Sequence, residues 1–255
     1  MREDAQAAMR ALEGATGVPV LVNEDPALRT MATIKPAKKG APAHLVRYNP
    51  KFAAVADYIV AFQCGFALRL FHAPETSRFE LAGTDLGRET AGRLVDEQLK
   101  KSGLRLPPPT VSGLRDQLYD GLMLQLRSMP IGLRVDAWVR KEYPGLHEQQ
   151  EDAARKQLAE NQQVLSPQVK QIAPKIIYEA SIGMSAAFAR FWERVLVDQS
   201  ITIPFRVSGF LVSGETLLRL VDEIPDDSAN DKRLIEAWGD QLGLAGWFGL
   251  IPLEA

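Results

Sequence analysis

The chain has 255 residues, 46% of them apolar and 24% charged, which suits one large globular domain or two small ones and excludes a largely disordered chain. Its formal net charge of -2 gives no whole-molecule field that would draw it onto nucleic acid or acidic lipid. Cys64 is the single cysteine, which excludes an intramolecular disulfide and suits a reducing compartment.

Residues 2–13 carry the pattern of an amphipathic helix that closes near Gly14 or Gly17. This charged stretch has no apolar h-region, so no secretory signal is expected. No run of 18 apolar residues occurs, so no membrane-spanning helix and no membrane partner are expected; the expected location is cytoplasmic. VPVLVN (18–23), RTMATIKP (29–36) and AHLVRYNP (43–50) are short, β-branched and bounded by turn residues. They predict three strands, with the loop KKGAPA between the last two. Asn49-Pro50 then introduces a helix from about Ala53 to Phe71. It is apolar almost all round, as a core helix is.

HAPETSRFELAG (72–83) breaks that helix, and residues 87–103 read as a polar amphipathic one. Pro107, Pro108 and Pro109 make 104–113 a stiff connector. A helix over 113–128 is expected to end before Met129-Pro130, with a further helical stretch to the Tyr143-Pro144 stop. Residues 147–164 are polar enough for an exposed helix or a charged link. Residues 167–198 predict a second strongly apolar helix, in which Ala180, Gly183, Ala186 and Ala187 permit close packing. Ser213 reads as the N-cap of a short helix, with Thr216 in the place of the capping-box Glu. DDSAND (226–231) lacks the Gly and distal Glu of a calcium loop and reads as a solvated turn and helix cap. A helix over 231–242 and an apolar tail with Trp247 and Phe248 complete the chain. The expected fold is α+β and mainly helical, a small N-terminal sheet packed on the buried helix and a helical part behind it. The expected division is 1–145 and 146–255.

The helix after Asn49-Pro50 contains VAFQCGFALR (60–69). A zinc-peptidase helix carries H-E-x-x-H, in which two His one turn apart hold the metal and the Glu is the general base. The common form VAHELGHALR coincides with this segment at Val60, Ala61, Gly65, Ala67 and Leu68. Phe62 and Phe66 stand at the two His positions and Gln63 at the Glu. With the preceding helix, short strands and LVRYN, residues 15–130 resemble the ImmA/IrrE-type zinc metallopeptidases and related gluzincins. That resemblance implies a zincin-like fold and a third ligand, a Glu, on a later helix closing on a Leu-Met-Pro-like signature. The segment 116–130 ends in Met129-Pro130, and Gln117 stands where that Glu belongs, with Asp116 and Asp120 close enough to shift into the role. Phe offers a metal no lone pair, and neutral Gln is no base near pH 7. The expectation is a pseudoenzyme without metal or cofactor, acting as a protein- or peptide-binding regulatory or scaffold subunit.

Binding candidates are Arg134, Trp138 and Tyr143, in a dense polar-aromatic stretch with Asp136, Arg140, Lys141 and Glu142, and Trp247 and Phe248 in the tail. Trp, Tyr and Arg dominate binding hot spots. Two other readings stand beside this one. A hydrolase would draw ligands from Asp116, Asp120 or Glu179 with His72. A nucleic-acid binder would use Lys35, Lys38, Lys39 and Arg47. His44, His72 and His147 form no local metal pair, and no phosphate loop, dinucleotide fingerprint or nucleophile elbow occurs.

Overall fold

A computed structural model describes residues 1–38 and 40–253. The fold is α+β and mainly helical. Helix α1 (Glu3–Thr16) buries Ala5, Ala8 and Leu12, one stripe at helical spacing, and ends on Gly17 at φ 70°, a left-handed turn that glycine tolerates. Strands β1 (Val20–Glu24), β2 (Ala32–Lys35) and β3 (His44–Tyr48) form a sheet in the order β1-β3-β2, β3 running parallel to β1 and antiparallel to β2. Asn49 fastens the end of β3 on both sides: its amide donates to the Leu28 carbonyl at 2.7 Å and its side-chain oxygen accepts from the Lys51 N–H at 3.0 Å. A 3-10 turn over Pro50–Val55 leads into α2 (Ala56–His72), which packs on α1, β2 and β3. Pro50–His72 is long and apolar enough, by length and composition, to cross a membrane. Half of the most apolar window is buried inside the protein.

Strand β4 (Phe79–Gly83) precedes α3 (Asp85–Lys101), which is capped by the Thr84 hydroxyl accepting from the Gly87 N–H. Helix α4 (Pro108–Glu142) corrects two expectations. The proline connector ends at Pro107, because a proline at the first helical position gives up no hydrogen bond. The helix also passes straight through Pro130. A proline there removes one backbone bond, at about 3 kcal/mol, but residues 130–136 are buried on every side, and that packing holds the segment helical.

Helix α5 (His147–Gln162) is no solvated link, since Gln150, Ala153, Ala154, Leu158 and Asn161 are buried. The expected helix over 167–198 is two, α6 (Pro167–Ile172) and α7 (Lys175–Leu196), because Pro174 holds Ala173 extended at ψ 132°. After α8 (Ile203–Val207), α9 (Leu211–Glu223) has Phe210 as its N-cap, so Ser213 lies inside its first turn and not at the N-cap. The earlier start places Gly214 against α7: a Cβ there would lie 2.5 Å from the Ala186 carbonyl carbon and 2.7 Å from the Ala187 nitrogen. Helix α10 (Asp231–Gln241) precedes β5 (Phe248–Pro252), which pairs antiparallel with β4. One buried cluster runs from Ala8 through Val60 and Leu126 to Trp247, and a second centres on Trp192 and Phe205. The first draws residues from both sides of position 145.

Candidate binding site

Tyr58, Phe62 and Phe66 lie one turn apart on a single face of α2, their ring centroids spaced 6.0 Å in both steps. Phe62, Gln63 and Phe66 are half-buried. Helix α4 crosses here, and a glycine on each helix permits the approach. A Cβ at Gly65 would lie 2.7 Å from the Trp138 ring and 2.8 Å from Val135; one at Gly132 would lie 3.3 Å from the tip of Phe62.

Gln117 is exposed and lies 15 residues before Gly132 on the same helix, about 22 Å along its axis. The structure therefore does not bring Gln117 to Phe62 and Phe66. Asp116 and Asp120 both face Arg88, at 3.1 and 2.8 Å. Glu179 faces Lys175 at 3.9 Å, and His72 is exposed at the end of α2. Among the described residues, no three His, Cys, Asp or Glu side chains converge as a metal-binding set.

The acid that α4 does bring to this crossing is Asp136, one turn beyond Gly132. It is fully enclosed between α2, α4 and α5. Its Oδ1 accepts the Tyr58 hydroxyl at 2.7 Å and the Gln150 amide at 3.2 Å. No cation faces it. Burial pushes its carboxyl up to about 7, against the pull of those two hydrogen bonds. The other buried groups are equally committed. His44 sits with Nδ1 accepting from the Ala37 N–H at 2.9 Å and Nε2 at 2.9 Å from the Thr16 hydroxyl, the arrangement of a neutral ring. Burial lowers its pKa, opposed by Glu13. Burial, then Glu13, pushes the Cys64 thiol up to about 12, so it is no nucleophile at neutral pH.

DDSAND proves to be half of an ionic network. Arg69 on α2 donates Nε and Nη2 to the two carboxylate oxygens of Asp231, at 2.8 and 2.7 Å, and meets Asp226 at 2.7 Å through Nη1. Arg134 on α4, only 2% exposed, donates to Asp231 at 3.1 Å and to the Ile224 carbonyl at 2.6 Å. Burial tends to lower the pKa of both arginines. Asp231 and Asp226 outweigh it at Arg69, which ends raised, but not at Arg134, which ends lowered. The expectation of a purely solvated turn fails because two guanidinium groups from distant helices converge on it.

Arg134 also lines a pocket of about 430 Å³ between α4, α7 and α9. Its apolar wall is Leu133, Phe191, Val195, Leu218 and Val221, and Arg194, Asp222 and Asp226 complete the polar side. The other expected binding residues contact the protein itself. Trp138 meets Tyr143 edge-on at 5.0 Å, and Tyr143 is buried. Trp247 is buried beside Tyr119, whose hydroxyl donates to the Trp247 carbonyl at 2.7 Å. Phe248 covers Gly239, where a Cβ would lie 2.5 Å from its ring. Of the basic segment, Lys35 and Lys38 are exposed, Arg47 pairs with Asp25 at 3.1 Å, and Lys39 lies outside the described residues. Sequence reasoning missed Asp226 and Asp231 as partners of Arg69 and Arg134; no local signal carries a pairing across 162 residues.

Comparison with known proteins finds no matching family model, no similar curated protein and no similar solved structure.

Proposed function

We propose that the protein is a non-catalytic interaction protein on a metallopeptidase-like frame, holding a protein or peptide segment as a regulatory or scaffold subunit. One observation carries the reading. The three α2 positions at which such a frame needs two imidazoles and a carboxylate hold Phe62, Phe66 and Gln63, on a face that is only half-covered. The chain order supports the frame: a helix, a small mixed sheet, then Asn49-Pro50 leading into a helix that packs on that sheet. The third position of the frame is better sought near Gly132 and Asp136, where α4 crosses, than at Gln117. With no lone pair at residues 62 and 66 and no base at 63, the face can bind a chain by apolar and amide contacts but has no group to activate water.

Purified protein incubated with equimolar zinc and then desalted is expected to retain far less than one zinc per chain by elemental analysis. It is expected to cleave no member of a mixed peptide library above the buffer rate. Stoichiometric zinc with zinc-dependent cleavage would overturn the reading.

A further inference from the structure

We propose that the pocket between α4, α7 and α9 takes a small amphipathic monocarboxylate, its carboxylate against Arg134 and its apolar body against Leu133, Phe191, Val195, Leu218 and Val221. This site is separate from the α2 face and does not depend on the reading given to that face. Three observations converge on it. The first is charge. Arg69 and Arg134, 15% and 2% exposed, share one enclosed carboxylate, Asp231, which is 8% exposed. The fourth member, Asp226, is 60% exposed, and solvent screens it. Counted without Asp226, the enclosed part of the network is one positive charge in excess, and Asp226 brings the four groups to neutrality only from the solvent side.

The second observation is an unused donor. Arg134 Nε is buried and, among the described residues, has no hydrogen-bond acceptor; the carboxylate of Asp226 stays 3.7 Å away. Buried donors are paired in the great majority of cases, so this one marks a place for an acceptor. Asp226, 60% exposed and held by Arg69 at 2.7 Å, is the group that competes with a ligand oxygen for Nε. The third observation is the wall. Helices α7 and α9 leave an apolar surface facing the pocket, and its volume of about 430 Å³ lies within the range of small-molecule sites. That volume holds roughly ten non-hydrogen atoms. The enclosed excess is a single positive charge, which a monoanion matches and a dianion such as a phosphate monoester exceeds.

The test titrates the full chain with octanoate and with neutral octanamide, following chemical shifts and heat. Octanoate is expected to bind at least about tenfold more tightly than the amide, a difference of about 1.4 kcal/mol. Ala137 and Arg194 are exposed lining residues. Ala137→Trp is expected to abolish binding by filling the mouth, and Arg194→Gln to weaken it, both with unchanged melting curves. Asp226→Asn removes a competing charge and is expected to tighten octanoate binding while leaving the amide unaffected. A peptide ending in a free leucine carboxylate is the companion probe. If it binds more tightly than octanoate, and Ala137→Trp abolishes that binding, the site is upheld and its natural source is a chain terminus. Equal binding of acid and amide, no saturable octanoate binding up to about 10 mM, or binding that survives both Ala137→Trp and Arg194→Gln would overturn the proposal.

Discussion

Replacing Asp136 with Asn is expected to remove most of the protein's loss of stability between pH 4 and pH 8. Burial raises the folded-state pKa of this carboxyl to about 7, against about 3.9 in an unfolded chain. A group raised on folding contributes its stability in full below the unfolded value and loses it as pH rises through the folded value. The difference corresponds to about 4 kcal/mol. The cost arises because ionisation places a charge among Tyr58, Gln150 and apolar neighbours, with no cation among the described residues to meet it. Asparagine keeps the oxygen that accepts the Tyr58 hydroxyl at 2.7 Å. Its amide can also serve Gln150 Oε1, a buried acceptor without a partner. Urea unfolding should show the variant level with the parent near pH 4 and about 3–4 kcal/mol more stable at pH 9. A variant less stable than the parent at pH 9 would show that the ionised carboxylate is the form the fold requires.

Removing the Asp231 carboxylate is expected to cost about 3–5 kcal/mol, because it leaves Arg134 charged and enclosed with no buried counter-ion, only the exposed Asp226 at 3.7 Å. For a chain of this size that is a fall in Tm of roughly 10 °C. The same change at Asp226, which is 60% exposed, should cost about 1 kcal/mol or less. The contrast is the useful readout. Both aspartates touch Arg69 and Arg134, but Asp231 alone is buried with them. Equal losses from Asp231→Ala and Asp226→Ala would show that the enclosed pairs do not hold α2, α4 and α10 together.

Signals of short range were legible in the sequence. Gly17 closes α1 because it accepts a left-handed backbone. The three strands alternate between turn residues, and Asn49-Pro50 marks the passage from β3 into α2. Elements that depend on distant partners were not legible. Strand β4 lies in a segment that breaks a helix, and β5 in an apolar tail, and each has its ladder satisfied only by the other. Pro130 gives a local stop signal that α4 overrides, because the surrounding packing outweighs one missing backbone bond. The same holds at the candidate site. The placing of Phe62 and Phe66 one turn apart on one face of α2 could be read from spacing alone. That α4 crosses them at Gly132 and not at Gln117 could not, since it depends on how a 35-residue helix is placed along its length.

The interaction reading makes the half-covered α2 face the place where a partner chain lies. A photo-crosslinking amino acid in place of Gln63, expressed in the protein's native cells, tests this directly, with the exposed position 117 as the control. The expected result is a discrete crosslinked partner at residue 63, recovered as an uncleaved chain, with the same partner absent at residue 117. Crosslinks no more frequent at 63 than at 117, or a partner recovered cut at the crosslinked segment, would contradict the account.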